Sequence, residues 1–383
     1  MIYLDSAATA KYTNTDDIIV NTIMTAMTDS WMNPSSLYAA DTKERINKCR
    51  ENIAKFIGAK PDEIYFTSGA SESNNWAIRG WVDNALINNT RLANIITTPI
   101  EHKSILAAVK NDALGARIRY CSVNEYGCIK CESLERLLNE CKDEMTLVSI
   151  QFANNEIGTI QDIKKISDIV HKNNAILHVD ATQIFGHMDI NVETLGIDMM
   201  SCSGHKISPV LRGIGYLYKK NCINIHPLIY GAQENDMRGG TENTYGILGL
   251  NKAIEYCDVS PKKVVELISK RNYFIDSLKF KFNCTLNGHE VDRLPNNINV
   301  TFPQNITAES LLYILDMSGI KISVGSACNS KSYAPSHVLK AIGLSDEDAM
   351  KSVRFTLPED ITYEDIDKVI VEIDKAIKLI ELN

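Results

Sequence analysis

Residues 147–183 read LVSIQFANNEIGTIQDIKKISDIVHKNNAILHVDATQ and contain a complete strand-helix-strand unit. The apolar run Leu147–Phe152 predicts a buried strand, Ile163–Asn173 an amphipathic helix, and Ile176–Val179 a second strand buried on both faces. Two strands joined through a helix are typical of a parallel sheet, because a parallel pair needs a long crossover connection. This stretch therefore predicts an α/β fold.

The same alternation continues on both sides of this unit. Predicted strands are Ile64–Thr67, Ile95–Thr97 and Met199–Cys202, and predicted helices begin near Glu72 and cover Lys103–Lys110. From about Pro261 the pattern changes to the long helix Lys262–Phe280, then Asn297–Phe302, Ala308–Ser318, Ile320–Ser323, Ser352–Phe355 and a terminal helix from about Thr362. We expect a large domain over residues 15–258 and a smaller α+β domain formed by residues 1–14 and 259–383.

Composition limits the classes of function. The chain has 383 residues, is 44% hydrophobic and carries a formal net charge of −8, without a basic stripe that would indicate direct nucleic-acid binding. No apolar stretch approaches the roughly 20 residues of a membrane span, and the start lacks the features of a signal peptide. Ten cysteines at irregular spacing are typical of reduced thiols. We therefore expect a cytoplasmic protein without direct nucleic-acid or membrane contacts.

Polar residues follow the predicted strands, where ligands bind in open α/β sheets. Asp180 directly follows one predicted strand, and Lys206 follows the next in Ser203-Gly204-His205-Lys206. A lysine amine can condense with an aldehyde, and a carboxylate can keep a pyridine nitrogen protonated, so the pair indicates a pyridine-aldehyde cofactor. Taken singly, Asp180 also fits a turn residue and Lys206 a solvated surface lysine.

Two further segments are candidates for chemistry. Ser68–Asn74 is a small-residue turn opening a helix, which suits a phosphate but equally an ordinary helix cap. Cys328 lies in Ser323–Ser330, a run of small residues between a predicted strand and helix, where we expect a flexible loop and an accessible thiol, or a cysteine without a role. The pair Cys128 and Cys131 has no second pair or histidines beside it, which disfavours a zinc or redox site.

Taken together, these motifs resemble the cysteine desulfurases of the NifS/IscS type, in the class V aminotransferase family of fold-type I pyridoxal-phosphate enzymes. The segments that carry the resemblance are Tyr3-Leu4-Asp5, Thr67–Asn74, Glu101-His102-Lys103, Asn154–Gly158, His178–Gln183, Ser203–Lys206, Gly240–Asn243, Gly325–Cys328 and Arg354-Phe355. They span nearly the whole chain in the family's order. The resemblance implies a large domain with a mainly parallel seven-stranded sheet flanked by helices, and a smaller α+β domain carrying the cysteine loop.

The resemblance also implies roles for individual residues. Lys206 would be the Schiff-base lysine for pyridoxal 5'-phosphate, Asp180 the partner of the ring nitrogen, Gln183 a donor to the ring hydroxyl, and His102 the residue stacked on the ring. Phosphate contacts would come from Ala70, Ser71, Ser203 and His205, and from Thr241 across the interface of a homodimer. Arg354, Asn155 and Asn33 would bind the substrate L-cysteine, whose sulfur Cys328 would take as a persulfide for a sulfur-acceptor protein in iron–sulfur cluster assembly or tRNA thiolation.

The sequence departs from the family pattern near the expected cofactor rim. The run Ser208–Arg212 after Lys206 is one residue longer than usual, and Asn235-Asp236 stands where Arg-Gly is common. Two alternatives therefore remain open. The first is a selenocysteine lyase or aminotransferase of the same fold, and the second is a degenerate protein kept as a scaffold or regulator.

Overall fold

A seven-stranded sheet forms the centre of the larger part of the molecule. The computed structural model describes residues 1–88, 93–110, 115–142, 144–324 and 334–382. The strands of this sheet are β2 (Ile64–Thr67), β3 (Ala93–Thr97), β4 (Ala116–Tyr120), β5 (Met145–Gln151), β6 (Ile176–Asp180), β7 (Met199–Ser203) and β8 (Gly215–Lys219). Their order is β2-β8-β7-β6-β5-β3-β4, parallel from β7 to β4, with β8 antiparallel to both of its neighbours.

Helices cover both faces of this sheet. They are α1 (Asn14–Asp29), α2 (Ala40–Ile57), α3 (Ala70–Asn88), α4 (Lys103–Val109), α5 (Cys131–Glu140), α6 (Ile163–Lys172), α7 (Val192–Leu195), α8 (Gln233–Asp236) and α9 (Thr244–Tyr256). Alternate residues along a strand enter different cores: Leu147 packs in one cluster with Trp76 and Trp81 of α3, and Val148 packs in the other with α2 and α6 residues. Burial on both faces explains why these strands are continuous apolar runs.

The C-terminal part forms a second core around a four-stranded antiparallel sheet. Its helices are α10 (Pro261–Phe282), α11 (Ala308–Met317), α12 (His337–Ala341), α13 (Asp346–Met350) and α14 (Tyr363–Glu381), and its strands are β9 (Thr285–Leu286), β10 (Asn297–Thr301), β12 (Ser323–Val324) and β13 (Ser352–Thr356). The N-terminal strand β1 (Ile2–Tyr3) pairs in parallel with β11 (Ile320–Lys321), and Leu4 is part of the same core. The predicted α/β class is confirmed, while the domain boundaries at 14/15 and 258/259 stay a prediction.

Candidate functional site

A cavity of about 730 Å³ opens at the carboxyl ends of the parallel strands, as expected for an open α/β sheet. Its walls come from the loops after β2, β5, β6 and β7, from the N-terminal segment, and from β12 and β13. Predicted site residues that line it are Ala70, Ser71, His102, Asn155, Asp180, Gln183, Ser203, His205, Lys206 and Arg354. The structure thus brings together side chains spread over 285 positions of the sequence, between Ala70 and Arg354.

Asp180, the last residue of β6, presents a largely buried carboxylate to the cavity. Its Oδ1 accepts a hydrogen bond from the backbone N–H of Thr182 at 3.0 Å and a short one from the Thr182 hydroxyl. Its Oδ2 accepts one from Nδ2 of Asn74 at 2.8 Å. These three donated hydrogen bonds fix the orientation of the carboxylate in the cavity.

Lys206 projects into the cavity from the short 3-10 turn Gly204–Lys206, which directly follows β7. Its Nζ donates to the backbone carbonyls of Ala7 at 2.7 Å and Ala8 at 2.9 Å. The N-terminal segment therefore orients the lysine amine. The chain order alone gave no reason to expect this contact across about 200 residues.

Residues at one end of the cavity are suited to binding an anion. Ala70 and Ser71 open α3, and the first N–H groups of a helix have no partner within the helix. Ser203 Oγ lies 2.8 Å from Nδ1 of His205, and Arg212 also lines the cavity. Burial, followed by the neighbouring charges of Lys206 and Arg212, lowers the pKa of His205 to about 4, so its imidazole is neutral near pH 7.

His102 stands at the mouth of the cavity, where it caps the N-terminus of α4. The backbone N–H of Ser104 donates to its Nδ1 at 3.2 Å. Desolvation by the cavity walls lowers the pKa of His102, and the negative charge of Asp180 opposes this shift only in part. The ring is therefore neutral near pH 7 and carries its proton on Nε2.

Arg354 of β13 also lines the cavity and is almost completely buried. Its Nη1 donates to the Asn155 carbonyl at 3.0 Å, and its Nη2 forms an ion pair of 2.5 Å with Asp5. Its Nε has no hydrogen-bond partner within the described ranges. The guanidinium is thus fixed at one edge while a donor remains for a ligand, a geometry suited to a carboxylate.

Three predicted residues are not placed in this cavity. Asn33 is exposed in the loop after α1, and Thr241 lies in a separate depression that also contains Ser68 and Gly213. Cys328 falls in residues 325–333, outside the described residues. Val324, just before that segment, lines the cavity, and Ser336, just after it, hydrogen-bonds to the cavity residue Glu156.

The altered segment after Lys206 packs against the large core beside the cavity. Ser208 is buried and donates a short hydrogen bond to Asp16 of α1, while Leu211 packs into the large core. At the end of this segment, Arg212 lines the cavity beside Gly213.

The second departure lies in α8, which is a left-handed turn over three of its four residues and not a regular right-handed helix. Glu234, Asn235 and Asp236 have φ values of 49°, 57° and 63°. This conformation is costly for residues other than glycine. Glu234 compensates through a bidentate ion pair with Arg50, at 2.7 and 2.8 Å, and by accepting the Phe66 N–H at 2.9 Å.

Sequence reasoning missed several contributors to this site. Asp5, Ser104 and Arg212 line the cavity, and Asn74 lies behind it and hydrogen-bonds to Asp180 and Ser104. Asp5 was visible only as part of the motif Tyr3-Leu4-Asp5, without a role. Asn74 and Arg212 were likewise visible only within the runs Ser68–Asn74 and Ser208–Arg212, and Ser104 only within the predicted helix Lys103–Lys110, each without a role.

The residues of the cavity fit pyridoxal phosphate part by part. The Lys206 amine suits an aldehyde, the buried Asp180 carboxylate suits a protonated ring nitrogen, and the open N–H groups of α3 suit a phosphate. A volume of about 730 Å³ also leaves room for a small substrate beside Arg354.

Comparisons with known proteins agree with this class of site. The family model for aminotransferase class-V matches residues 2–369. A protein of Methanosarcina thermophila named cysteine desulfurase IscS is 41% identical over 382 residues, which cover 98% of this chain and 92% of that protein. A solved NifS-like protein superposes with a TM-score of 0.88 at 31% identity over 100% of both chains. A structure titled SspA in complex with cysteine gives a TM-score of 0.80 at 33% identity over 94% of this chain and 99% of that one.

The fold and cavity therefore define an α/β enzyme of the pyridoxal-phosphate fold-type I class. The chain belongs to the class-V aminotransferase family. In the part of the chain that the structure describes, no helix combines the length and apolarity needed to cross a membrane.

Proposed function

We propose that this protein is a cysteine desulfurase, which uses pyridoxal phosphate to remove sulfur from L-cysteine and leaves L-alanine and a persulfide on Cys328. The observation that carries the proposal is the single cavity shared by Lys206, Asp180 and Arg354. It stands in a chain about 40% identical, over nearly its full length, to curated proteins named cysteine desulfurase.

The residues assigned to the cofactor either bind it in the cavity or take part in its chemistry. Asp180, His102 and Gln183 are assigned to the ring, and Ala70, Ser71, Ser203 and His205 to the phosphate. When bound, pyridoxal phosphate supplies an aldehyde for an amine and a ring that withdraws electrons from the adjacent carbon. Three donated hydrogen bonds hold the Asp180 carboxylate, which is assigned to the ring nitrogen, in one orientation. Lys206 holds or gives up a proton at Nζ, in an orientation set by the carbonyls of Ala7 and Ala8.

Arg354 and Asn155 are assigned to the substrate. The Arg354 guanidinium carries a positive charge in a nearly buried position, and its contacts with Asp5 and the Asn155 carbonyl fix its plane. A substrate carboxylate that reaches this side chain is bound in one orientation, which turns the amine and the sulfur toward the rest of the cavity.

Cys328 is assigned as the sulfur acceptor on the family motif Gly325-Ser326-Ala327-Cys328. Both described flanks of its segment support this assignment, because Val324 lines the cavity and Ser336 is bonded to a residue of its wall. The thiolate would take the sulfur of the substrate and pass it to an acceptor protein, for iron–sulfur cluster assembly or tRNA thiolation, in the cytoplasm.

A homodimer completes the proposal. Apolar side chains are exposed close together in the sequence at Met24, Met27, Trp31, Leu37 and Tyr38, and an exposed group of this kind favours burial against another protein surface. Asn33 lies within the same stretch, and Thr241 is also exposed, outside the cavity of its own chain. We assign Thr241 to the phosphate end of the partner's cavity.

Alanine and sulfide formation from L-cysteine tests the proposed function directly. Purified protein with pyridoxal phosphate and a thiol reductant should release both products, and Cys328→Ala should abolish sulfide release while the visible absorption of bound cofactor is kept. Cys222→Ala is the matched control, because Cys222 is an exposed thiol outside the cavity lining. Unchanged sulfide release by Cys328→Ala would favour a lyase or aminotransferase, and a protein that neither binds the cofactor nor forms alanine would favour a scaffold.

A further inference from the structure

Asn74 lies on the first turns of α3 with no exposed surface, and it is not itself part of the cavity lining. Its amide nitrogen donates two hydrogen bonds of 2.8 Å each. One goes to Oδ2 of Asp180 and the other to Oγ of Ser104. Because a carboxylate near neutral pH only accepts hydrogen bonds, the contact with Asp180 fixes which end of the Asn74 amide is the nitrogen.

Ser104 continues this chain of hydrogen bonds to His102. Its hydroxyl lies 2.9 Å from Nδ1 of His102, and its backbone N–H donates to the same nitrogen. A backbone N–H cannot accept, so Nδ1 is an acceptor and the imidazole proton is on Nε2. The hydroxyl accepts from Asn74 and donates to His102, so every donor in the chain points from Asn74 toward the imidazole.

We propose that Asn74 is a positioning residue that ties Asp180 to His102 through Ser104, so that the two side chains assigned to the cofactor ring are held as one unit. The inference rests on the proposed function for the roles of Asp180 and His102. It adds a residue that holds both of them without lining the cavity.

The hydrogen bonds of the Asn74 amide support a positioning role for this residue over a packing role. Its nitrogen uses both protons, whereas its Oδ1 is buried without a hydrogen-bond partner among the described residues. A buried acceptor without a partner costs stability. A residue that only filled space between α3 and the sheet would be better served by an apolar side chain, so the two donated bonds are what the amide contributes.

The test compares Asn74→Ala, Ser104→Ala and the double variant with Asn75→Ala. Asn75 is a matched control, because it is the same residue type on the same helix and its amide donates only to the backbone carbonyls of Ser71 and Ser104. One readout is the dissociation constant for pyridoxal phosphate. The other is the imidazole ¹⁵N resonance of His102 at a fixed pH, assigned with the variant His102→Gln.

We expect Asn74→Ala to weaken cofactor binding on the order of tenfold, the size of one lost hydrogen bond to a charged group, and to shift the His102 resonance. Asn75→Ala should change neither. Ser104→Ala should shift the resonance as well, and its effect on affinity should be smaller in the Asn74→Ala background than alone, because the two residues act in one chain. Additive effects, or equal effects of Asn74→Ala and Asn75→Ala, would overturn the inference.

If Asn74→Ala does not fold, Ser104→Ala decides the question alone. A shift of the His102 resonance together with weaker cofactor binding supports the coupling, and a change in only one of the two readouts refutes it. Neither readout depends on sulfur transfer. A wild-type protein that binds the cofactor but forms no alanine from cysteine would therefore refute the proposed function and leave this test intact.

Discussion

Arg293 offers a stringent test of the packing between the two cores. It is buried at 2% exposure, and its guanidinium donates to four backbone carbonyls, at 2.9 Å to Ile157, 3.1 Å to Asn287, 3.1 Å to His289 and 3.3 Å to Asn297. Replacement by methionine keeps much of the volume and removes all four donors. At about 0.5–1.5 kcal/mol for each hydrogen bond, the loss amounts to about 2–6 kcal/mol.

Part of this loss is offset, because burial of the charge is itself unfavourable. Burial, followed by the nearby charge of Arg271, lowers the pKa of Arg293 to about 9. Relief of this cost in the variant places the expected decrease in the free energy of unfolding toward the lower end, at about 2–3 kcal/mol. Since the Ile157 carbonyl belongs to the loop that presents Asn155, we also expect a higher KM for cysteine.

Urea denaturation followed by tryptophan fluorescence at saturating pyridoxal phosphate measures this change. Arg45→Met is the control, because Arg45 is an exposed arginine paired with Asp41 one turn away on α2, and such a surface pair contributes only about 0.3–0.5 kcal/mol. The reasoning fails if Arg293→Met lowers the free energy of unfolding no more than this control does.

Three further changes test other parts of the molecule. Arg354→Lys should raise KM for cysteine about tenfold or more with a smaller change in kcat, since lysine cannot keep the contacts with Asp5 and Asn155 and bind a carboxylate as well; an unchanged KM in steady-state kinetics contradicts the assignment. Burial raises the pKa of Glu101 well above its ordinary value, so the stability that its protonated form contributes is complete below the unfolded pKa of about 4.3 and is lost as pH rises through the folded pKa. Glu101→Gln cannot ionise, and its melting temperature should exceed that of the wild type by more at pH 8 than at pH 5; an equal difference at both values argues against a neutral Glu101. Asp236→Gly should raise the free energy of unfolding by up to about 1 kcal/mol, because it removes the left-handed strain at φ 63°, and a decrease in urea denaturation would show that no strain is stored there.

The fold was predictable where strands are buried on both faces. β2, β6 and β7 lie within one residue of their predicted ends, because continuous apolar runs mark such strands. Two strands of the seven-stranded sheet were not predicted from a continuous apolar run. β4 contains Arg117 and Arg119 and lies at the edge of the sheet. β8 begins with Gly215. A Cβ atom at this position would lie 2.4 Å from the carbonyl oxygen of Cys202. This steric requirement for glycine exists only in the folded chain, so the sequence does not reveal it.

Residues of the site could be predicted where a local pattern in the sequence, such as the end of a strand, marks them. Asp180 and Lys206 follow directly from strand ends, and they do line one cavity. The contacts of Asp5 with Arg354 and of Asn74 with Asp180 join residues 349 and 106 positions apart, which no pattern within either segment reveals. The roles of all the assigned site residues stay predictions, and of these residues Asn33 and Thr241 do not line the cavity and Cys328 lies outside the described residues.

The placement of the N-terminal strand has a consequence for synthesis of the chain. β1 pairs with β11, and Asp5 meets Arg354, so these residues are synthesised more than 300 positions before the partners that they contact in the structure. The strands that carry Asp180 and Lys206 are complete by residue 206. The cofactor end of the cavity can therefore take shape on the nascent chain, while the wall that contains Arg354 can form only after residue 354 has been synthesised.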